Sequence, residues 1–536
     1  MTPSEIADQL ELTAKLLELH GENLFKVQSL KNAAYRIYKS NLDLTGKSLL
    51  ELEDIEGIGK RIAGKIIEMQ QSGITQELRL LLDKTPPGLL DILRVKGLGP
   101  KKVAQLWREL AIESLGELQY ACNENRLIDL KGFGAKTQQS ILENIAFLQL
   151  SQGKFHYARI IDLALSAVND LKKEFNTEFV SLTGELYRKC EVVDKIQFLI
   201  GSENQRTFDV SSLNLPLQVD LLFCAPTEFY LKLVMTSSTS EHRAAFNFDR
   251  LNEQEFTSEK AVYEALQISF VEPELREGII EVTHAREGTI PELLSVSDLK
   301  GALHNHSTYS DGQNTLEEMA LRCKQMGYSY FGIADHSQSA FYAGGLKPER
   351  IIEQHREIDA LNEKLFPFRI FKGIESDILN DGSLDYDDEV LKTFDYVVAS
   401  IHSGLKMEEE KAMQRLIKAI ENPFTTILGH PTGRLLLSRP GYPVNHRKII
   451  DACAANGVVI ELNAHPYRLD IDWRWIPYCM ERGVLISVNP DAHHVDGISD
   501  MYYGVCAARK GMLTKDFCFN AMDLNTIEKH FQSRKK

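Results

Sequence analysis

Between residues 303 and 494, histidines and carboxylates stand repeatedly at the end of short apolar runs. The runs lie at 331–335, 369–375, 396–401, 425–429, 458–462 and 484–488, and helix-length polar segments lie at 349–364, 408–422 and 445–456. Apolar strands that alternate with helices predict a parallel sheet, and six to eight such units in roughly 240 residues favour a barrel. Because barrel enzymes carry their active sites at the carboxyl ends of the strands, we expect these polar residues to converge.

The polar residues of this pattern are suited to binding metal. They belong to the motifs LHNHSTYSDG (303–312), IADHS (333–337), KGIESD (372–377), ASIHS (399–403), LGHPTGR (428–434) and VNPDAHH (488–494), and the ligand candidates are His304, His306, Asp311, His336, Glu375, His402, His430, Asp491 and His493. Imidazoles and carboxylates suit Zn, Mn or Fe, and this set is large enough for two or three cations. Each His alone could be an ordinary core or loop residue. As a set they predict a hydrolase, because such a cluster binds phosphate oxygens and makes hydroxide at neutral pH.

These motifs resemble those of the PHP family of metal-dependent phosphoesterases over residues 300–510. The resemblance implies a distorted (β/α)7 barrel with three divalent metal ions, Mn²⁺ before Zn²⁺ or Fe. It implies one metal held by His304, His306, Glu375 and Asp491, a second held by Glu375, His402 and His430, and a third held by Asp311, His336 and His493. The expected catalytic residues are Asp311, His336, Glu375 and Arg434. The last could bind a phosphate oxygen or form a structural ion pair.

The first 150 residues contain a threefold repeat: IEGIGKRIAGKI (55–66), VKGLGPKKVAQL (95–106) and LKGFGAKTQQSI (130–141). Each copy has Gly-apolar-Gly, a nearby Lys and a helical pattern. Amides at a helix N-terminus, together with a Lys, bind phosphate without reading bases. The repeats resemble helix-hairpin-helix motifs, and the alternative is a plain turn between helices. The expected DNA-binding residues are Gly57, Gly59, Lys60, Gly97, Gly99, Lys101, Lys102, Gly132, Gly134 and Lys136.

Residues 1–150 as a whole resemble the N-terminal region of family X DNA polymerases, with LFKVQSLKNAAYRI (24–37) matching the first helix of that region. Some members of the family use a Schiff-base Lys in the helix after the first hairpin as a 5′-deoxyribose-phosphate lyase. Lys65 stands at that position. A Lys whose pKa is lowered by neighbouring cations could act in this way. The alternative is a Lys that contacts phosphate or is merely solvated.

Residues 151–285 resemble the palm of the same polymerases, but most of the catalytic positions differ. Such palms have Gly-Ser for the triphosphate and three Asp that hold two Mg²⁺. Here Glu185 stands in place of the Ser, Lys195 and Gln197 in place of two Asp, and only Asp220 is retained. Because Mg²⁺ requires oxygen ligands, the sequence predicts a degenerate palm without polymerase activity. Residual gap-filling synthesis is the alternative.

The length and composition of the chain indicate how many domains it contains and where they lie. A chain of 536 residues predicts two to four domains. We assign 1–150 to DNA-binding hairpins, 151–285 to the degenerate palm with a reduced thumb, 286–298 to a linker, and 299–536 to the phosphoesterase barrel. The net charge is −15, yet residues 1–150 carry 19 Lys and Arg against 20 Asp and Glu. Scattered cysteines, no signal peptide and no long apolar run predict a cytoplasmic protein that does not bind membranes. We expect it to be a monomer.

Together these regions predict a DNA-repair phosphodiesterase. The expected activity is 3′→5′ exonuclease, 3′-end or abasic-site processing on gapped or 3′-recessed DNA, bound through its backbone without sequence specificity. The alternative is a small-molecule phosphate monoesterase of the histidinol-phosphatase type. Three backbone-binding repeats favour DNA, because a small-molecule enzyme has no use for them.

Overall fold

The computed structural model describes residues 1, 3–40, 44, 46–55, 57–128, 130–150, 153–204, 208–252 and 254–534. Contacts divide the chain into two compact units. The first comprises Met1–Cys122 and Leu127–Leu148, and the second comprises Asn123–Arg126 and Gln149–Lys536. In the described part of the chain, no helix is long and apolar enough to cross a membrane.

The first unit is helical, as its sequence predicts. Its helices are α1 (Pro3–Leu19), α2 (Leu24–Ser40), α3 (Leu49–Glu53), α4 (Lys60–Ser72), α5 (Gln76–Lys84), α6 (Pro87–Ile92), α7 (Pro100–Leu110), α8 (Leu115–Asn123) and α9 (Ala135–Leu150). α1 packs against α2, α5 and α7. Leu10, Leu30, Ile66 and Leu106 are almost fully buried in the shared core. The apolar spacing of each helix therefore supplies one buried face.

The three repeats form three turns of the same conformation. Gly57, Gly97 and Gly132 have φ values of +89°, +91° and +88°. Only glycine adopts this backbone region at little cost, which explains its recurrence. In each turn the apolar residue between the glycines donates its amide to a carbonyl three residues earlier and is buried. These residues are Ile58, Leu98 and Phe133. The helices α4, α7 and α9 begin directly after the turns.

The middle of the chain is α+β. It contains β1 (Phe155–His156), α10 (Tyr157–Phe175), β2 (Val180–Thr183), α11 (Gly184–Tyr187), β3 (Val192–Val193), β4 (Lys195–Gly201), β5 (Gln218–Cys224), α12 (Phe229–Ser237), α13 (Ser240–Phe246), α14 (Glu259–Ala265) and α15 (Glu281–Glu287). β4 pairs antiparallel with β2 and parallel with β5, giving the order β2-β4-β5. In the expected linker, Leu294 is fully buried and its amide donates to the Leu513 carbonyl, so this stretch is packed.

A seven-stranded parallel sheet follows. Its elements are β6 (Gly301–Ala302), α16 (Leu316–Gln325), β7 (Tyr330–Ile333), α17 (Pro348–Leu365), β8 (Arg369–Asp377), α18 (Asp388–Leu391), β9 (Tyr396–Ser400), α19 (Glu409–Ile420), β10 (Ile427–Leu428), α20 (His446–Asn456), β11 (Val459–Asn463), α21 (Ile476–Glu481), β12 (Ile486–Asn489), α22 (Met501–Lys510) and α23 (Leu524–Arg534). The strands are ordered β6 to β12 without a crossover. A bridge between Asn305 and Ala492 links the two edges, so the sheet is a nearly closed barrel.

Alternation along the strands separates two apolar layers. Phe371 and Tyr396 face the barrel interior, where α23 places Phe531 against both rings, with centroid distances of 5.0 and 5.1 Å. Ile370 and Ile374 face the outer helices. Because successive side chains of a strand point to opposite faces, Glu375 shares the interior face with Phe371. Aromatic side chains thus fill the interior of the barrel, and polar residues occupy the carboxyl ends of its strands.

Candidate metal centre

All nine ligand candidates come together at the carboxyl ends of the barrel strands. Each follows, or ends, a strand of the barrel, apart from Asp311, which lies in the loop after β6, and His493, which lies two residues beyond Asp491. His304 and Asp491 have φ values of +55° and +53°. Non-glycine residues rarely adopt this conformation, and it is concentrated at functional sites. Two of the nine ligand candidates therefore have an unusual backbone conformation.

Glu375 is the centre of the cluster. Its Oε1 lies 3.2 Å from His304 Nε2 and 3.0 Å from the Nε2 atoms of both His402 and His430. Its Oε2 lies 2.9 Å from His336 Nδ1. One carboxylate therefore faces four imidazoles, an arrangement suited to a ligand that bridges metal ions.

The remaining ligands extend the cluster on both sides. His306 Nε2 lies 3.0 Å from Asp491 Oδ1. Asp311 Oδ1 lies 3.6 Å from His336 Nε2 and 3.3 Å from His493 Nε2. Four groups of three or four residues have ligand atoms within 4.8 Å of one another: His306, Asp311, His336 and His493; His304, Glu375 and His430; His304, His306 and Asp491; and His336, Glu375 and His402. The division of the ligands among three metals remains a prediction.

The cluster fits divalent metal ions by its donor set and its burial. Among the described residues, no hydrogen-bond partner is present for the buried atoms His306 Nδ1, His336 Nε2 and His430 Nδ1. Burial alone would raise the pKa of Glu375, but His402, His304 and His336 hold it well below its usual range. A carboxylate kept ionised among imidazole nitrogens is a strong ligand for a cation of the Mn, Fe or Zn type.

Three further carboxylates contact ligand histidines through the nitrogen that faces away from the cluster. Glu461 Oε2 lies 2.6 Å from His304 Nδ1, Asp377 contacts His402 Nδ1, and Glu124 contacts His493 Nδ1. Burial would lower the pKa of His402, but the carboxylates of Glu375 and Asp377 raise it to about 9. Such outer carboxylates fix the tautomer and the ring orientation of a ligand His.

Sequence reasoning missed these outer carboxylates. Asp377 lies two residues after Glu375 in β8, and Glu461 lies in β11, so both could have been found as carboxylates on the interior face of a strand. Nothing in the sequence around Glu124 indicates its contact with His493, 369 positions away in the chain.

The guanidinium of Arg434 is surrounded by hydrogen-bond acceptors outside the metal-ligand cluster. Its guanidinium donates to the Arg468 carbonyl, to the Leu469 carbonyl and to Asp472 Oδ2, the last at 2.7 Å. It lines a cavity of about 480 Å³ with Asp472 and other residues, and no metal-ligand candidate lines that cavity. These contacts favour the structural ion pair over the phosphate contact.

The hairpin lysines lie near the N-termini of three helices, and the Arg36 side chain covers the backbone at Gly57. Lys60, Lys101 and Lys136 are exposed at the first turns of α4, α7 and α9. Lys102 is half-buried, with Nζ 5.3 Å from the centre of the Phe133 ring. An added Cβ at Gly59, Gly97, Gly99, Gly132 or Gly134 would meet nothing within 4 Å, so the backbone there is open to a phosphate.

Lys65 is engaged in an ion pair. Its Nζ contacts Glu77, whose other oxygen contacts Lys26. The Lys65 side chain is only 18% exposed. Burial would raise the pKa of Glu77, but hydrogen bonds from both lysines lower it, so the carboxylate is charged. The Lys65 amine is therefore paired with a carboxylate, whereas a lyase needs an amine that can attack a sugar carbonyl.

The retained palm aspartate is surrounded by donors. Gln197 pairs with Asp220 across β4 and β5, and its Nε2 donates to Asp220 Oδ2 at 3.3 Å. Lys195 Nζ lies 3.4 Å from the same oxygen, and Gln218 Nε2 donates to Oδ1 at 2.9 Å. Glu185, on α11, accepts from the Asp194 amide. The strand register thus places Lys195 and Gln197 beside Asp220, where a metal site would need carboxylates.

Comparison with protein families agrees with this organisation. A helix-hairpin-helix domain matches residues 1–74, a SAM-like helix-hairpin-helix tandem matches 89–146, and the PHP domain matches 302–465. The DNA polymerase/3′-5′ exonuclease PolX of Bacillus subtilis (strain 168) is 33% identical over 98% of this chain and 99% of its own length. The chain belongs to the bacterial PolX family. Its helical hairpins and its PHP barrel are therefore the expected parts of a PolX protein.

Other relatives match a smaller share of the chain. A probable phosphatase of Acetivibrio thermocellus is 28% identical over 35% of this chain and 78% of its own length. Another, from Thermoanaerobacter sp. (strain X514), is 26% identical over 44% of this chain and 94% of its own length. The PHP domain and these relatives support a metal-dependent hydrolase, and the hairpins with the PolX relationship indicate DNA binding.

Proposed function

We propose that this PolX protein is a metal-dependent phosphodiesterase that processes DNA ends, as a 3′→5′ exonuclease or by removing 3′-blocking and abasic groups. The observation that carries the proposal is the cluster of nine ligand candidates, Glu375 among them, in a chain that also has three glycine turns of the helix-hairpin-helix type. The ligand set suits Mn²⁺ first and Zn²⁺ or Fe as alternatives.

Some residues of the cluster would hold the metal ions, and others orient the ligand histidines. Bound metal ions would polarise the phosphate and supply hydroxide. Glu375 and Asp311 hold negative charge at the centre, and His336 lies against both. Asp377 accepts a hydrogen bond from His402 Nδ1, which leaves Nε2 facing Glu375 as a ligand nitrogen. Glu461 does the same for His304.

The helical unit would bind the DNA backbone. The glycines with open backbone and the exposed lysines would offer amides and positive charge to phosphates, and contacts of this kind carry no sequence information. Affinity without sequence specificity and with a steep dependence on salt is the expected result.

The palm would not polymerise. Two-metal nucleotidyl transfer needs carboxylates on both sides of the metals, whereas Lys195 and Gln197 both face Asp220 here. A lysine ammonium 3.4 Å from the retained carboxylate neutralises the charge that a cation would need.

A second function is a phosphate monoesterase acting on a small molecule. The barrel's similarity to probable phosphatases favours it. The hairpins favour DNA, because a small-molecule substrate makes no contact with three backbone-binding turns.

One experiment separates these functions. The full chain with Mn²⁺ is incubated with 3′-recessed DNA, with a sugar phosphate, and with gapped DNA plus nucleotides, and bound metal is measured by elemental analysis. We expect shortening of the recessed strand and no template-directed extension. Hydrolysis of the sugar phosphate alone would replace the DNA proposal with the monoesterase.

A further inference from the structure

A short segment, Asn123–Arg126, contacts the metal centre and belongs to the same compact unit as the barrel. Asn125 has a φ of +55°, a conformation that Asn tolerates better than most residues. Glu124 before it is almost fully buried and contacts His493 Nδ1. Arg126 after it has Nε 3.7 Å from Asp311 Oδ2. The left-handed residue thus lies between two charged side chains that both contact candidate ligands.

The Arg126 guanidinium is held over an aromatic ring. Its central carbon lies 4.9 Å from the ring centre of Tyr342, and the side chain is 16% exposed. The Tyr342 ring lies 6.3 Å from the His336 ring. Stacking on an aromatic face restricts a guanidinium to few orientations, which prepares it for a planar, bidentate contact.

Tyr342 itself carries an unused donor. Its hydroxyl is buried, and among the described residues no hydrogen-bond partner is present for it. Burial raises the pKa of Tyr342 and outweighs the opposing effect of Arg126, so the hydroxyl stays protonated at neutral pH. A buried donor without a partner costs free energy unless a ligand accepts from it.

We propose that Arg126 and Tyr342 form the subsite that holds the non-bridging oxygens of the substrate's phosphate group, with Glu124 positioning His493 beside it. The inference rests on the proposed phosphodiesterase and adds the residues that bind its substrate. A guanidinium beside Asp311 is within reach of a phosphate held at the same cluster. Arg offers two parallel N–H groups to phosphate oxygens, and the tyrosine hydroxyl adds a third donor. This role replaces the one expected for Arg434.

The test measures binding of inorganic phosphate to the Mn²⁺-loaded full chain by titration calorimetry, with metal content determined in parallel. Arg126→Gln should weaken phosphate binding by about 10- to 100-fold, since hydrogen bonds to charged groups are among the strongest. Arg126→Lys should recover part of this loss, because the charge remains and the bidentate geometry does not. Tyr342→Phe should weaken binding by a few fold.

A matched control exists on α20 and α21, where the Arg447 guanidinium lies 4.4 Å from the centre of the Tyr478 ring. Arg447→Gln should bind phosphate as the unmodified protein does. Equal phosphate affinity in Arg126→Gln and the control overturns the subsite. Loss of metal from Arg126→Gln also overturns it, because removing a positive charge beside Asp311 should not weaken a cation ligand.

Cleavage of 3′-recessed DNA by the same variants separates this inference from the function on which it rests. If the unmodified protein binds phosphate with Mn²⁺ but cuts no DNA, and Arg126→Gln loses that binding, the DNA function fails and the subsite stands. If DNA is cut equally by Arg126→Gln and the control, the subsite fails and the DNA function stands.

Discussion

The barrel and the palm both place a carboxylate on a parallel strand, and they surround it in opposite ways. Glu375 faces four imidazoles, whose neutral forms are metal ligands. Asp220 faces Lys195, Gln197 and Gln218, all three of which direct N–H groups at its oxygens. A carboxylate therefore makes a metal site only when its neighbours can also give electron pairs. In the palm, Lys195 and the two glutamines already pair with the Asp220 carboxylate, so its negative charge is not left for a cation to balance.

The largest expected effect comes from the barrel ligands. His336→Ala or Asp491→Ala should reduce DNA hydrolysis to the level of the metal-free protein, because each removes a side chain of the cluster that would hold metal. Nuclease rate and bound metal are measured together. Asp220→Ala is the matched control in the palm, and it should leave hydrolysis unchanged. Full activity of His336→Ala would contradict the assignment of the cluster.

The second prediction concerns Asp377 and Glu461, the outer carboxylates that contact ligand histidines of the barrel. Asp377→Asn and Glu461→Gln should each lower activity or metal affinity about 10- to 100-fold, because the imidazole then loses its charged acceptor. The metal concentration at half-maximal activity is the measurement. Asp381→Asn is a control, since Asp381 is exposed and pairs with Lys418. An unchanged metal requirement in both test variants would show that ring orientation does not depend on these contacts.

Substitutions in the hairpins should lower the affinity for DNA and leave the rate of phosphodiester hydrolysis unchanged. Replacing Lys60, Lys101 and Lys102 with Gln should weaken binding to all sequences alike and lower the slope of log affinity against log salt by about 0.9 per lost contact on duplex DNA. Fluorescence anisotropy at several salt concentrations measures this. Hydrolysis of a small phosphodiester should stay constant. Unchanged DNA affinity would make the turns purely structural.

Restoring carboxylates to the palm is expected to have no visible effect. Lys195→Asp with Gln197→Asp should still give no primer extension on one-nucleotide-gapped DNA, because Glu185 remains where a triphosphate would bind. The assay uses a His336→Ala background to suppress degradation. Extension by the unmodified palm that disappears with Asp220→Ala would mean that the region polymerises and that the comparison above is wrong.

Lyase activity at Lys65 is also expected to be slight. Its amine is paired with Glu77 and its side chain is only 18% exposed, so borohydride trapping on a 5′-deoxyribose-phosphate end should be weak or absent. Any adduct should disappear in Lys65→Ala. Trapping that is strong in the unmodified protein and unchanged in Lys65→Ala would assign the lyase to another residue.

Much of the barrel followed from local patterns. The apolar runs at 331–335, 369–375 and 396–401 became β7, β8 and β9, because buried parallel strands need continuous apolar sequence. β6 was not predicted, since a strand of two residues, Gly301–Ala302, leaves no periodic signal. The hairpin turns were predictable because their conformation demands glycine at a fixed position.

Contacts that depend on tertiary structure were beyond the sequence. Glu124 and Arg126 stand in an ordinary polar stretch, and only the fold brings them to His493 and Asp311. Arg434 follows His430 closely in the sequence, which suggested a shared site, yet Asp472 and two carbonyls occupy its guanidinium. These contacts favour the structural ion pair of Arg434, and a phosphate contact by this residue stays an untested prediction.

The shared position of Glu375 has a consequence for how the centre is assembled. Because its two oxygens serve histidines from more than one group of ligands, the occupancy of any one position changes the charge and orientation offered to the others. Linkage of this kind is reciprocal. Titration with a chelator should therefore empty the centre as a cooperative unit, and partly loaded protein should be scarce at intermediate chelator concentrations.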